Sequence, residues 1–338
     1  MIRKLLDTIL PYDSRRRQIA AQMARIVRQT PSREIQPADH LRRNHRSIGL
    51  EEMKALEDSL KSSYFSRAKP NYLQTERGKA DLQDHLIHRL NTARNQIVPW
   101  LDQVKSLKGA SILEVGCGTG SDLVALTEQG AEVTSIDIEE GAIEVARKRC
   151  ELYGMSSSIQ LANATHILEL FGDRKFDFII FYACLEHMTV PERMKAIADS
   201  WKLLTNDNFW CVIDTPNRLW YEDNHTSLLP FFHWLPDELA FQYSRFSPRD
   251  NFNDCYTEMT ADRMEHFLRR GRGVSFHELV LAIGSLQDIK VVSYMDQIGS
   301  PKGDPESLPA RYFSFLSKLA PDLHPAFMQP SLHFILQK

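Results

Sequence analysis

Several features that would place this chain in a specialised class of protein are missing from its sequence. The five cysteines are scattered and none forms a Cys-x-x-Cys pair, which argues against a disulfide framework or a zinc site and favours a reducing compartment. No apolar run approaches the roughly 18 residues of a membrane span, and the apolar part of the start is too short for a secretory signal. The net charge of −3 gives no overall basic field for nucleic acid. We expect a cytoplasmic globular protein without stable membrane insertion.

The first 46 residues differ in charge from the chain as a whole, which is slightly acidic. They hold eleven Lys and Arg residues against four Asp and Glu residues, a local balance of +7. Asp13 and Ser14 can cap a helix that carries Ile19 and Met23 on one face and arginines on the other. This basic amphipathic arm is expected to pack on its own subunit or on a twin, in a homodimer. Attachment to an anionic membrane surface or to RNA remains an alternative.

Residues 111–138 read as strand, glycine turn, helix, strand and acid. The first strand is a short apolar run, typical of a parallel sheet that is covered on both faces. Three glycines follow and allow both a sharp turn and the close approach of a ligand: Gly116, Gly118 and Gly120. The second strand stops at Asp137, whose carboxylate can accept hydrogen bonds from a ribose diol. The stretch therefore predicts a nucleotide-like ligand.

The spacing of the glycines and the acidic residue before them indicate which class of nucleotide-like ligand the turn would bind. The pattern is G-x-G-x-G rather than the G-x-G-x-x-G of a dinucleotide site, and Glu114 directly precedes it. A carboxylate there would repel a pyrophosphate but suits an ammonium or sulfonium group. Residues 114–120 resemble the first motif of the class I S-adenosylmethionine (SAM)-dependent methyltransferases, and Ile136-Asp137 resembles the acidic end of their second strand. An ordinary βαβ turn and a nicotinamide site are the alternatives.

The resemblance implies a set of residues that bind the cofactor SAM. The glycine turn and second strand supply Glu114, Gly116, Cys117, Gly118, Gly120, Asp137 and Ile138. The ends of the third and fourth strands supply Asn163, Ala164 and Tyr182. In many relatives an N-terminal helical segment folds over the cofactor and brings an aromatic or basic residue. By this analogy Tyr72 and Arg77 are candidates, although both can equally be loop residues on a helical cap.

The order of elements predicts an α/β fold with a Rossmann-like, doubly wound, seven-stranded sheet. Further strands at 158–164, 176–181 and 209–216 continue the β-then-α steps of a mostly parallel sheet. Strands at 288–294 and 331–337 follow, and the resemblance implies that the last one is antiparallel and lies between the fifth and sixth. Five segments are expected: the arm 1–46, a helical cap 47–108, the cofactor-binding core 109–216, a substrate-binding insert 217–285 and C-terminal strands 286–338.

The insert leaves the carboxyl end of the fifth strand, where open α/β sheets bind ligands, so we expect it to roof the acceptor pocket. Candidates for binding the substrate are Arg218, Trp220, Trp234, Glu186 and His277. Candidates for a catalytic base are His225, His233 and His187. His233 lies between Phe232 and Trp234, which is also typical of a packed, hydrogen-bonded histidine.

The segment after the fourth strand argues against a metal ion and against nucleic acid as substrate. Some similar enzymes, of ubiquinone biosynthesis and small-RNA 2′-hydroxyl methylation, carry Glu-x-x-Glu-His there and bind a divalent cation. Here Ala183 stands in place of the first Glu, before Glu186 and His187, so no metal is expected. DNA amino-methylating enzymes carry an Asp/Asn-Pro-Pro-aromatic motif at this place, and this chain reads Tyr182-Ala-Cys-Leu.

These observations predict transfer of a methyl group from SAM to a small molecule, without a metal. A hydroxyl oxygen is favoured as the acceptor atom, because the histidines and acids of the insert could take its proton. Transfer to sulfur or nitrogen of a small metabolite is an alternative, since such acceptors need desolvation more than a base. A non-catalytic SAM-binding scaffold that recruits partners through its basic arm is an alternative of another class.

Overall fold

The computed structural model describes residues 41, 45–249, 252, 255–284, 289–298 and 304–338. The basic arm expected over residues 1–46 lies almost wholly outside these described residues. One compact unit holds residues 35–295 and 330–338, and residues 296–329 belong to another. The segment 286–338, expected to be one piece, is therefore shared between the two units.

The larger unit is built on a seven-stranded sheet with the strand order β3-β2-β1-β4-β5-β7-β6. Strands β1 to β5 pair in parallel, and β7 is antiparallel to both β5 and β6. The expected α/β sheet, with its last strand between the fifth and sixth, is confirmed. The strands are β1 (Ser111–Val115), β2 (Glu132–Asp137), β3 (Ser158–Leu161), β4 (Phe176–Tyr182), β5 (Leu204–Pro216), β6 (Lys290–Tyr294) and β7 (Ser331–Gln337).

The helices of this unit precede, connect and follow the strands. A long helical run over 76–102 is interrupted by π-helical turns at Asp84–His88 and Ala93–Ile97; we name this run α2. The others are α1 (Leu50–Ser59), α3 (Ser121–Glu128), α4 (Glu140–Tyr153), α5 (Ile167–Phe171), α6 (Val190–Lys202), α7 (Asp237–Tyr243), α8 (Ala261–Leu268) and α9 (Phe276–Ile283). A π-helical turn, Leu60–Tyr64, extends α1, and short 3₁₀ turns lie at Tyr72–Gln74, Ala164–His166, Leu185–His187, Phe232–Trp234 and Ser244–Phe246.

The main core explains why the apolar strands and the helical cap fold together. Ile112 of β1 and Phe178 of β4 have no exposed surface, and they belong to one apolar cluster with Trp100 and Leu101 of α2. Burial of such side chains contributes about 25 cal/mol per Å² of apolar surface removed from water. The cap is thereby held against the sheet, so its residues can reach the carboxyl ends of the strands.

The third strand is shorter than the sequence pattern predicts. It ends at Leu161, and the backbone N–H of Ala162 still bonds to the Asp137 carbonyl. The side-chain oxygen of Asn163 then accepts a hydrogen bond from the Thr165 N–H and caps a 3₁₀ turn. Asparagine competes with the strand ladder by bonding to nearby backbone, which is why extended structure stops here.

The insert forms a small apolar core of its own and starts and ends beside β5. Its core residues are Leu229, Phe232, Ala240, Phe241, Phe252, Tyr256 and Phe267. Asn217 forms a β-bridge with Val274, and the Val274 N–H bonds to the Pro216 carbonyl. Arg193 of α6 donates to Glu278 of α9 at 2.7 Å, in a buried ion pair. The insert is thus tied to the sheet at the edge where the strands end.

The second unit is described over residues 296–298 and 304–329, and it contains helix α10 (Leu308–Leu319) and a 3₁₀ turn (Pro325–Met328). Ser307 caps α10 by accepting a hydrogen bond from the Ala310 N–H. Across both units, none of the helices described has the length and apolar character needed to cross a membrane.

Candidate functional site

A cavity of about 330 Å³ opens at the carboxyl ends of β1, β2 and β4. Open parallel sheets bind their ligands at this edge. The cavity wall includes most of the residues that the sequence assigns to the cofactor: Gly116, Cys117, Gly118, Asp137, Ile138, Asn163, Ala164 and Tyr182. Among the residues assigned to the base, His187 lines it as well.

The glycine turn needs glycine for different reasons at its three positions. Gly116 has φ +81°, and a Cβ there would lie 2.6 Å from the Cys184 Cβ. Gly120 has φ +79° and is outside the cavity wall; it allows α3 to pack closely against Ala146 of α4. A Cβ on Gly118 would meet nothing within 4 Å, because this residue borders open space. Gly116 and Gly120 therefore shape the turn, and Gly118 leaves room for the ligand.

Asp137 ends β2 with both carboxylate oxygens fixed by backbone. Oδ2 accepts a hydrogen bond from the Gly118 N–H at 2.8 Å, and Oδ1 accepts one from the Glu139 N–H at 2.9 Å. Burial raises the pKa of this carboxyl, and the backbone N–H groups oppose that rise. Each oxygen keeps a second lone pair, so the carboxylate can still accept hydrogen bonds from a diol in the cavity.

Glu114 lies beneath the glycine turn and is not among the residues that line the cavity. Ser135 donates a hydrogen bond to its Oε2 at 2.6 Å, while Oε1 is buried and has no partner within the described structure. Burial, and then the charge of Asp122, raises the pKa of this carboxyl. Glu114 therefore does not border the cavity, and its contact with the cofactor stays a prediction.

Two residues of the helical cap line the cavity, but they are not the two that analogy suggested. Tyr72 donates a hydrogen bond to Asp81, and Arg77 is exposed; neither belongs to the cavity wall. Tyr64 and Arg89 line it instead. The sequence predicts the helices that carry them, but no local motif distinguishes these residues from their neighbours.

Sequence reasoning also missed Asp122 in the first turn of α3, and Arg269 at the end of α8. Asp122 lines the cavity, and its Oδ1 is shielded from solvent without a hydrogen-bond partner in the described chain. Arg269 reaches the wall from the insert and pairs with both oxygens of Glu192, at 2.9 and 3.1 Å. The "Ser-Asp" after the last glycine could have pointed to Asp122; nothing local points to Arg269.

Glu186, His187 and His225 converge beside the cavity. The Glu186 Oε1 atom lies 3.9 Å from His187 Nε2 and 3.7 Å from His225 Nε2. The Arg269 carbonyl is 2.9 Å from His187 Nδ1 and can only accept, so Nδ1 carries the proton and Nε2 of the neutral ring keeps its lone pair. Burial lowers the pKa of His225, which favours its neutral form. The cluster can therefore accept a proton.

The same three side chains could hold a metal ion. Their ligand atoms lie within 4.8 Å of one another. Glu186 is fully buried, and its Oε1 has no hydrogen-bond partner among the described residues, although Thr215 donates to Oε2 at 3.2 Å. One carboxylate and two imidazoles suit a divalent transition ion better than magnesium. The expectation of no metal, drawn chiefly from Ala183 in the place of the first Glu, remains a prediction.

The other candidates of the insert lie away from the cavity wall. His233 accepts the Gly273 N–H at Nδ1 (3.0 Å), and its Nε2 lies 3.2 Å from the Asp223 Oδ1 atom in a buried pair. Arg218 donates through Nε to the His233 carbonyl, and Trp220 is buried. Trp234 is 48% exposed and contacts Phe231, and His277 stacks on Phe276. Their proposed roles toward the substrate remain predictions.

Residues 112–207 match the family described as a methyltransferase domain. The core of this chain therefore contains a methyltransferase domain. It includes β1 to β4 and the cavity at their ends, apart from the residues that the cap and the insert add.

Curated relatives of the methyltransferase domain are ubiquinone biosynthesis O-methyltransferases. The one from Coxiella burnetii (strain Dugway 5J108-111) is 32% identical over 108 residues, covering 32% of this chain and 44% of the relative. The one from Xylella fastidiosa (strain 9a5c) is 32% identical over 170 residues, covering 46% of this chain and 65% of the relative. The chain thus spans between 44% and 65% of the length of these two relatives.

Solved structures similar to this chain include methyltransferases. Magnesium protoporphyrin IX methyltransferase from Synechocystis PCC 6803 with bound SAM is 20% identical, with a TM-score of 0.37, over 53% of this chain and 83% of that one. The plantazolicin methyltransferase in complex with S-adenosylhomocysteine (SAH) is 15% identical, with a TM-score of 0.43, over 85% of this chain and 98% of that one.

Proposed function

We propose that this protein transfers a methyl group from SAM to a hydroxyl oxygen of a small molecule. The observation that carries the proposal is the position of His187, which lines the cofactor cavity and also belongs to the Glu186–His187–His225 cluster. A proton acceptor thus borders the space where the methyl donor would lie. The names of the curated O-methyltransferases support the same reaction class.

In this proposal the bound cofactor supplies an electrophilic methyl group, and the protein holds the reactants and moves one proton. Asp137 accepts the ribose hydroxyls, while the glycine turn keeps side chains out of the space beside it. His225 or His187 takes the acceptor's hydroxyl proton at Nε2 as the oxygen attacks. The Glu186 carboxylate then faces the imidazolium and stabilises its charge.

A divalent ion held by Glu186, His187 and His225 is a second way for the same cluster to activate a hydroxyl. The unpartnered Glu186 Oε1 between two imidazole nitrogens favours it. An ion there would lower the pKa of a bound hydroxyl. The two versions differ in their response to a chelator, since a general base needs no ion.

The test is transfer of labelled methyl groups from SAM to a panel of small hydroxyl, thiol and amine acceptors. For a hydroxyl acceptor, His225→Gln or His187→Gln, whichever removes the base, should lower kcat by about a hundredfold, the usual contribution of a general base. His225→Gln should leave SAH affinity unchanged, because His225 lies outside the cavity wall. A small thiol or amine as the only acceptor would support the alternative of S- or N-methylation. Loss of activity in chelator with recovery in Mn²⁺ would select the metal version.

A non-catalytic SAM-binding scaffold is the alternative that lies outside enzymes. It predicts SAH binding without turnover of any acceptor in the panel.

The proposed homodimer through the basic arm concerns residues that lie almost wholly outside the described part of the chain. It would be tested by comparing the solution mass of the full chain with that of a variant lacking residues 1–40.

A further inference from the structure

Asp214, near the carboxyl end of β5, has a backbone conformation that side chains rarely adopt. Its φ is +53°, in the left-handed region. The pairing of β5 with β7 shifts its register here, so that Ile213 and Asp214 together oppose His333 alone. Left-handed residues store strain, and β-bulges re-aim side chains; both occur preferentially at functional sites. The bulge therefore marks Asp214 as a residue whose direction serves a purpose.

The contacts of the Asp214 side chain do not compensate for this strain. Asp214 is exposed, although the rest of the segment 208–216 is buried. Within the described residues its carboxylate accepts no hydrogen bond, and its ion-pair contact is with His333 Nε2, 3.8 Å from Oδ1. Asp207, earlier on β5, is also left-handed (φ +67°), but its Oδ1 accepts a hydrogen bond from Gln337 at 3.1 Å. The Asp214 carboxylate is therefore available to a ligand.

The neighbours of Asp214 place it between the cavity and the Glu186–His187–His225 cluster. The Ala183 N–H donates to the Ile213 carbonyl at 2.9 Å, and Ala183 lines the cavity. On the other side of Asp214, the Thr215 hydroxyl donates to Glu186 Oε2 at 3.2 Å. The Asp214 carboxylate thus borders the region in which a methyl acceptor would approach both the cofactor and the cluster.

The carboxylates in this region have no lysine or arginine to balance them. In the part of the chain that the structure describes, Asp214 and Glu186 form ion-pair contacts only with histidines. Arg269 lines the cavity, but its guanidinium already binds the carboxylates of Glu192 and Glu265. Binding sites are complementary in charge to their ligands. An acceptor with a positive charge fits this region better than a neutral or acidic one.

We propose that Asp214 binds an ammonium group of the methyl acceptor, so that the enzyme selects hydroxylated amines over neutral or acidic alcohols. This inference rests on the proposed function, because it takes a hydroxyl group as the site of methylation. The Glu186–His187–His225 cluster takes the hydroxyl proton, and Asp214 holds the charged end of the same molecule. Asp214 thus determines specificity and moves no proton.

The experiment offers the full chain sets of hydroxyl acceptors that differ only in charge. The first set is tyramine, 4-ethylphenol, which lacks the amine, and 4-hydroxyphenylpropionate, which carries an acid; the O-methylated products are measured. Wild type should prefer tyramine to 4-ethylphenol in kcat/KM by about tenfold to a hundredfold, the range for a hydrogen bond to a charged group. Asp214→Asn should lose most of this preference through a higher KM for tyramine, with SAH affinity changed by less than about twofold.

A second variant separates the function of the carboxylate from its effect on the fold. Asp214→Gly removes the carboxylate and also the strain, because glycine adopts a left-handed φ at no steric cost. It should lose the preference for tyramine without a lower melting temperature. Asp207→Gly is the matched control at the other left-handed aspartate of β5, and it should keep the preference.

Equal preference for tyramine in wild type and Asp214→Gly would overturn the inference, as would a wild type that favours the neutral or the acidic phenol. Parallel losses of melting temperature, SAH affinity and turnover of every acceptor in Asp214→Asn would also overturn it, because they would show a carboxylate that supports the fold. If wild type methylates no acceptor in any set, the proposed function fails and this inference fails with it. If wild type methylates hydroxyl groups regardless of the acceptor's charge, only this inference fails.

Discussion

The cavity and the insert each enclose an aspartate, and the two aspartates have opposite surroundings. Asp223 of the insert accepts hydrogen bonds from the Thr226 N–H at 2.7 Å and the Ser227 N–H at 2.6 Å, and it faces His233. Asp122 of the cavity has an oxygen without a partner in the described structure. A satisfied buried acid organises a turn, whereas an unsatisfied acid in a cavity wall is prepared for a ligand.

The two regions also differ in how the chain assembles them. The glycine turn and Asp137 come from one contiguous strand–turn–helix–strand stretch, joined by the Gly118 N–H bond to Asp137. The Glu186–His187–His225 cluster needs the end of β4 and a turn of the insert. Asp223 shapes that turn by accepting the His225 N–H at 3.0 Å. The cofactor end is built locally, and the acceptor end depends on the insert being correctly folded.

The largest effect should come from removing the satisfied acid. Asp223→Ala leaves backbone N–H groups and His233 without their buried acceptor, so we expect a loss of about 3–5 kcal/mol in the free energy of unfolding. The measurement is denaturant unfolding, with Asp122→Asn as the control that should lose little stability. A similar loss for both variants would remove the distinction between the two acids.

A smaller effect should separate the glycines of the turn. Gly116→Ala forces a left-handed φ on alanine, which costs about 1–2 kcal/mol, and drives its Cβ into Cys184. Gly118→Ala meets no protein atom, so its effect should be strain plus a loss of space for SAH. Thermal melts should therefore rank Gly116→Ala as the less stable variant. The reverse ranking would contradict the account of the turn.

The acids at the glycine turn, Glu114 and Asp122, and the acid of the insert, Asp223, should also give opposite dependences of stability on pH. Burial raises the pKa values of Glu114 and Asp122, so their contribution to stability is present at acidic pH and is lost as the pH rises through the raised values. Burial of Asp223 is outweighed by His233 and nearby hydrogen-bond donors, which lower its pKa; its contribution is lost only on acidification. The melting temperature of the ligand-free protein should therefore fall from about pH 4.5, near the ordinary pKa of a carboxyl, to about pH 8, and change little above that. Glu114→Gln should flatten that fall, and an unchanged slope would contradict it.

The smallest effect should come from the two cap residues outside the cavity wall. Tyr72→Phe and Arg77→Ala should change SAH affinity by less than about twofold, as surface changes usually do. Tyr64→Ala, at a residue that lines the cavity, should weaken it measurably. Titration calorimetry on the three variants checks this, and a larger loss for Tyr72→Phe than for Tyr64→Ala would mean that the cap closes differently around the ligand.

How well the sequence predicts the fold and the site depends on whether a feature is built from one contiguous stretch or from distant segments. Apolar runs, three glycines and a terminal acid predict the sheet and the cavity, because each signal is local and has a period or spacing. Arg89, Tyr64 and Arg269 carry no such signal, since they reach the cavity through the packing of the cap and the insert. The approach of His225 to Glu186 depends on the turn that Asp223 organises, and no spacing in the sequence encodes it.

Calorimetric titration measures whether the cavity binds SAM through the end of β2. Wild type and Asp137→Asn would be titrated with SAM and, separately, with NADH. Our account predicts SAM binding that weakens by about tenfold or more in the variant, as for a lost hydrogen bond to a charged group, and no binding of NADH. Binding of NADH without binding of SAM would contradict it.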